Sequence, residues 1–356
     1  MYKKFFMGIA AMAALTLVSC SSDDLDSFSD NSSKNEAISF DGYLGRSAVA
    51  VNGSRGSVET KEKLKTDGFG VFGNYSEESE ETKTVYGANW FDNEKVTCPS
   101  SAWTYKPLKY WLPKGHIDFL AYAPHADGKK LKNNTDNTAL TCIDFNVDND
   151  IAKQKDLLWA NATNKKKADK TVTFNFNHAL AKIGYTVKTN VEGTGTTITL
   201  NKITLAGSED GTSKDAFYAS GTIDLSKAND ASDLWTNQQG KQKFTWFDGP
   251  KQLTTSAFNN SNISGNPANS DENYLFVIPQ NFESGHDELY VIVDYTINYN
   301  TGVQSTMKCT VTSKIEKNFL QGKAYMINLT VGLTPIEFNA EVAEWGTVDG
   351  KDITWE

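Results

Sequence analysis

Helical periodicity is nearly absent from this chain, whose apolar residues fall instead in short runs. The runs are rich in β-branched and aromatic residues and are separated by clusters of Gly, Asn, Asp and Lys. A backbone with period-two side chains buries one face only by pairing into sheets and stacking them. Strands are expected at 37–44, 68–74, 109–111, 116–123, 140–146, 156–160 and 171–176. A second set is expected at 183–188, 196–206, 220–225, 244–247, 274–278, 289–298, 305–312 and 324–331. Seven strands followed by about eight predict an all-β protein of two consecutive antiparallel β-sandwich domains. They span 36–177 and 178–333, with the boundary near Asn177, and leave an extended segment at 334–356 with apolar stretches at 336–342 and 353–355. Polar stretches at 76–84, 128–138, 229–243 and 255–272 read as loops at the sandwich ends. No internal repeat is evident.

The N-terminus reads as a targeting device. Lys3 and Lys4 precede an apolar run from Phe5 to Val18, too short for a permanent membrane helix, which closes on Leu17-Val18-Ser19-Cys20. A small residue before a cysteine is what lipoprotein signal peptidase requires. Residues 1–19 are therefore expected to be a lipoprotein signal peptide, with lipid placed on Cys20 and Cys20 left as the new N-terminus. Two or three acyl chains on one residue anchor far better than one. Residues 20–35 are acidic and polar without apolar period, a solvated leash. The leash also resembles the acidic signal that sends lipoproteins of some anaerobic Gram-negative bacteria to the cell surface; the alternative is a plain spacer.

Composition narrows the function. A net charge of −9 offers no electrostatic case for nucleic acid. After Cys20 only Cys98, Cys142 and Cys309 remain, an odd number without metal-like spacing, so the core rests on packing. Of the 35 lysines and arginines only two are arginine, Arg46 and Arg55, and both lie in one polar stretch behind the first strand. A general preference for lysine would reduce arginine without gathering the remaining two in one loop.

Catalytic chemistry finds little support. His116, His125, His178 and His286 form no His-x-x-x-His pair, and no nucleophile elbow or complete dinucleotide loop occurs. Asp144, Asn146, Asp148 and Asp150 alternate as in a calcium loop, but Asn149 stands where the glycine belongs and Lys155 where the closing glutamate belongs. No enzyme activity, metal or cofactor is expected. The eight tryptophans are scattered through apolar runs, which favours core packing over a sugar-stacking platform.

With the strands in place, the chain resembles the fimbrillin family, the FimA-like and Mfa-like subunits of surface pili in anaerobic Gram-negative bacteria. The resemblance rests on Phe69-Gly-Val-Phe72, Tyr110-Trp-Leu-Pro113, Asp118-Phe-Leu-Ala-Tyr-Ala-Pro124, Asp156-Leu-Leu-Trp-Ala160, Phe176-Asn-His-Ala-Leu-Ala-Lys-Ile183 and Tyr274-Leu-Phe-Val-Ile-Pro-Gln280. It continues through Gly322-Lys-Ala-Tyr325, Ile336-Glu-Phe338 and Val342-Ala-Glu-Trp345. Each piece is a strand with its turn, and their order and spacing carry the match.

The resemblance implies a pair of transthyretin-like sandwiches and assembly by strand donation. Subunits of that kind reach the surface as outer-membrane lipoproteins. A protease cuts after an arginine, the first strand is lost, and an extended segment of the next subunit takes its place by β-augmentation. Transferred to this chain, the strand removed is 37–44, with Ile38, Phe40 and Leu44 on its groove face. The cut follows Arg46, with Arg55 as the alternative. The segment from 334 onward is the candidate donor, where Ile336, Phe338, Ala340 and Val342 alternate with Glu337, Asn339 and Glu341. The partners so implied are other fimbrial subunits (the same chain or accessory pilins), the processing protease, and the outer membrane through Cys20. The function is a structural fimbrial subunit supporting adhesion. Two alternatives stand beside it: a monomeric surface lipoprotein that binds glycan, and a C-terminal segment that is the last strand of its own domain.

Overall fold

The computed structural model describes residues 36–44, 59, 61–77, 87–193, 195–228, 231, 233–259, 274–302, 304–333 and 337–344. Cys20, Arg46, Arg55, Ile336 and the 353–355 stretch lie outside them. The first half comprises β1 (Ser39–Leu44), helix α1 (Lys61–Asp67), β2 (Phe69–Ser76), β3 (Phe91–Val96), β4 (His116–Ala123), β5 (Lys132–Asn133), β6 (Leu140–Asn146), β7 (Leu158–Lys165) and β8 (Thr171–His178). The second half continues with β9 (Ala181–Thr189), β10 (Thr196–Ala206), β11 (Phe217–Asp224), β12 (Trp235–Gln242), β13 (Phe244–Gln252), β14 (Phe258–Asn259), β15 (Leu275–Val277) and β16 (Gln280–Asn281). It ends with β17 (Tyr290–Tyr299), β18 (Ser305–Lys314), β19 (Asn318–Phe319), β20 (Lys323–Val331) and β21 (Glu337–Glu344). The chain is all-β in layers, as its periodicity predicts.

A six-stranded sheet of order β1-β8-β7-β4-β2-β3 organises the first half. Its central strand β4 is buried along its whole length, so both faces are covered. One face, with Phe69, Phe119, Leu158, Phe174 and their neighbours, forms a core closed by Leu64 of α1 and by Tyr105 and Trp111 of the following loop. The other face places Phe72, Leu120, Tyr122 and Trp159 in a larger core continuous with the second half. Close packing leaves no room at Gly70, where a Cβ would stand 2.5 Å from the Tyr122 ring. Burying both faces requires an apolar residue at nearly every position, which is why β4 reads as an unbroken run.

Three features depart from the sequence expectation. Two pairs run parallel rather than antiparallel, β1 on β8 and β20 on β9. The sheet β12-β11-β6-β5 joins strands from either side of Asn177, through the ladder from Ser220↔Asn146 to Asp224↔Cys142. The two halves therefore share a sheet and a core. Residues 109–111 form no strand; Tyr110 makes a single bridge to Ala37. The sheets β13-β10-β17-β18 and β14-β9-β20-β21 share the larger core as the second sandwich, and β16 and β19 form a separate two-stranded sheet. Among the described residues Cys98, Cys142 and Cys309 form no disulfide, and no helix is long and apolar enough to cross a membrane.

Candidate functional site: the first strand and its groove

β1 is held by alternation. Ile38, Phe40, Gly42 and Leu44 face inward and are buried, while Ser39, Asp41 and Tyr43 are exposed. Along one side it pairs in parallel with β8, Ser39 opposite Thr171 through Leu44 opposite Phe176. On the other side its start is held by three hydrogen bonds. The Ile38 N–H donates to Lys109 O (2.8 Å), the Trp111 N–H donates to Glu36 O (3.0 Å), and the Tyr105 hydroxyl donates to Ile38 O (2.9 Å). Further along, indole Nε1 of Trp103 donates to Asp41 Oδ1 (3.1 Å).

The groove beneath β1 is lined by aromatic rings. The Phe40 ring lies 5.4 Å from Phe91, 5.3 Å from Tyr105, 5.5 Å from Phe119 and 5.8 Å from Phe174, centroid to centroid. Two positions on, the groove narrows. Phe69 and Trp103, whose rings are 5.0 Å apart, each come within 3.1 Å of where a Cβ on Gly42 would stand. Only a very small side chain fits there. The strand thus buries Ile38, Phe40, Gly42 and Leu44, with an aromatic pocket around Phe40 and a narrow slot at Gly42.

A buried cluster of Glu59, Asp156 and His178 holds the chain at Glu59, after the two arginines in sequence. Glu59 N–H donates to Asp156 Oδ2 (2.9 Å), and Asp156 Oδ2 also stands 2.8 Å from His178 Nδ1 at the end of β8. Burial pushes the Glu59 carboxyl up to about 8, against the attraction of Lys63, whose Nζ lies 3.8 Å from Glu59 Oε2. Asp156 and Lys155 also face Glu59, and Asp67 lies on α1 beside it. No sequence signal marks this cluster, because its members stand far apart in the chain.

The other candidates are absorbed by structure. Asp144 accepts from Thr222 Oγ1 (3.1 Å) and pairs with Lys132, which holds its carboxyl below the usual range. Asp150 caps the short turn at Ile151–Lys153. Among the described residues no group of three or more His, Cys, Asp or Glu could hold a metal ion. Trp111, Trp159 and Trp246 are core residues. Trp103 packs on Phe69, and Trp235 packs on Phe145 and donates to Ala179 O (2.9 Å).

At the far end, Phe338, Ala340 and Val342 lie on β21, which pairs antiparallel with β20 at the edge of the second sandwich. Phe338 stands opposite Leu329, Ala340 opposite Ile327 and Val342 opposite Tyr325. In the isolated chain this strand is therefore part of its own subunit's sheet.

A family model described as fimbrillin-like matches residues 57–345, most of the chain. The chain belongs to the fimbrillin-like family. Among solved structures, a fimbrial protein of Bacteroides vulgatus is similar with a TM-score of 0.61 and 22% identity, over 87% of this chain and 100% of that one. A "putative cell adhesion protein" of Bacteroides ovatus is similar with a TM-score of 0.51 and 16% identity, over 89% of this chain and 100% of that one. At these identities the likeness shows that the fimbrillin-like fold is shared. No curated protein matches the chain.

Proposed function

We propose that this chain is a structural subunit of a cell-surface pilus, exported as a lipoprotein on Cys20 and activated by cleavage after Arg46, with Arg55 the alternative. Loss of β1 then opens the aromatic groove, and an extended segment of another subunit fills it. The observation that carries this reading is the placement of β1. Its side chains complete a core, yet the chain behind it runs into the stretch that holds both arginines. The family match begins at residue 57, beyond that stretch.

The physics supports removal and replacement. While the chain is intact, β1 is tethered to its groove and its effective local concentration is high. Cutting the connection makes retention an ordinary bimolecular equilibrium. Ile38, Phe40 and Leu44 each contribute roughly 1.5–3 kcal/mol by burial, less the cost of ordering a free strand. A segment delivered by a neighbouring folded subunit competes well for such a groove, using backbone hydrogen bonds for affinity and side-chain sites for selection. The groove is lined by aromatic rings, surroundings suited to receiving an apolar strand. Adhesion and a position outside the outer membrane follow from the same reading.

The test is the double substitution Arg46→Ala, Arg55→Ala. Wild-type polymers should consist of chains beginning at Ser47 or Gly56, whereas the variant should be folded, full length from Cys20 and unable to polymerise. Polymers built of chains that still begin at Cys20 would overturn the proposal.

A further inference from the structure

The four residues that face inward from the first strand differ in size in a set order, and that order is written a second time in the chain. β1 offers Ile38, Phe40, Gly42 and Leu44 at alternate positions. The β21 strand offers Phe338, Ala340 and Val342 at the same spacing, and Ile336, directly before it in sequence, completes the set. The pattern Ile-x-Phe-x-(Gly or Ala)-x-(Leu or Val) occurs at these two places only. β4 shares its first three members but ends on Ala123. The intervening residues are polar or exposed in one copy (Ser39, Asp41, Tyr43) and polar in the other (Glu337, Asn339, Glu341).

Resting on the strand-donation reading above, we infer that the groove of this chain is built for a second copy of the same chain, received in one register and one direction. Phe338 takes the place of Phe40 among the four aromatic rings. Ala340 takes the place of Gly42 between Phe69 and Trp103, and Val342 that of Leu44. The direction follows from the order of the sites: read backwards, the donor would set Val against the Ile38 site and press Phe338 toward the slot that admits a minimal side chain. The strand therefore enters parallel to β8, as β1 does.

The narrow slot is what makes the register selective. Phe69 and Trp103 approach within 3.1 Å of a Cβ at position 42, so alanine enters with a shift of a few tenths of an ångström and nothing larger enters without rebuilding both rings. A slip of two residues would set Phe338 or Val342 against that slot. One-residue slips turn the glutamates inward. In the free subunit β21 pairs with β20 at a sheet edge. The groove offers the β8 ladder together with the aromatic sites.

Paired cysteines read the register directly. In the inferred alignment Asn339 stands where Asp41 stands, opposite Thr173, and Glu341 where Tyr43 stands, opposite Asn175. In the free subunit Asn339 is opposite Asn328 instead. Full-length chains carrying Cys309→Ser with Asn339→Cys and Thr173→Cys should oxidise to covalent ladders within polymers. The offset pair Glu341→Cys and Thr173→Cys should give at least tenfold less, since a disulfide tolerates little displacement. In parallel, Ala340→Gly should polymerise and Ala340→Leu should remain a folded monomer by circular dichroism. Polymers that cross-link through the offset pair, or that accept Ala340→Leu unchanged, overturn the register and leave strand donation standing. Polymers that form from chains ending at residue 333 overturn strand donation itself and this inference with it.

Discussion

Truncating Phe40 should separate the precursor from the mature subunit. The ring is buried, with four aromatic partners at centroid distances of 5.3 to 5.8 Å. Those partners belong to β3, β4, β8 and the loop at Tyr105, so they cannot collapse together into the space left behind. A Phe-to-Ala change in such a core costs about 3–5 kcal/mol, the upper part of the range applying where relaxation is small. Phe40→Ala should therefore lower the urea midpoint of the uncleaved chain by an amount equal to about 4 kcal/mol divided by the m-value, with m itself unchanged. Polymers assembled from the same variant should resist heat and denaturant as wild-type polymers do, because the strand bearing the substitution has left. The two measurements use one preparation, sampled before and after arginine-specific cleavage. A precursor that loses less than about 1 kcal/mol would refute the packing argument, given that range. Polymers weakened as much as the precursor would show that β1 stays in its groove.

Two further outcomes follow. In the folded chain burial raises the Glu59 carboxyl pKa to about 8, while an unfolded chain releases the proton near 4.5. The neutral carboxyl thus favours the folded state fully at low pH, and that contribution is lost as pH rises toward 8, by an upper bound of ~5 kcal/mol at ~1.4 kcal/mol per pH unit. Urea midpoints measured from pH 5 to 8 should fall for the wild type and stay flatter for Glu59→Gln, and parallel profiles would assign the pH dependence elsewhere. Cys20→Ala should leave an uncleaved, unacylated precursor, seen by intact mass and palmitate labelling; normal display of that variant at the cell surface would remove the lipoprotein route.

Much of the architecture was legible because local pattern and burial agree. The strands read at 116–123, 140–146 and 196–206 coincide with β4, β6 and β10, each carrying enough buried apolar residues to stand out from the polar stretches around it. The alternation that marks Ile38, Phe40 and Leu44 as inward is likewise a property of one short run of adjacent residues. Where burial is slight, the signal fades. β12, Trp-Thr-Asn-Gln-Gln-Gly-Lys-Gln, is a largely uncovered edge strand with polar residues on both faces, and its sequence reads as a loop. Helix α1 has seven residues and one buried side chain, too few to establish a helical period.

What sequence alone determined is the kind of structure, the candidate first strand with two arginines behind it, and the repeated order of side-chain sizes at its two ends. Which strands pair was decided only in three dimensions. The parallel ladder of β1 on β8 and the ladder of β6 on β11 join segments more than seventy residues apart, and a local pattern specifies which face a strand buries but not against which distant partner. The same holds for the groove. Gly42 is confined by Phe69 and Trp103, and Glu59 is bound to Asp156 across 97 positions of sequence. Close packing and a buried hydrogen bond act over a few ångströms of space, whatever the length of chain between the groups.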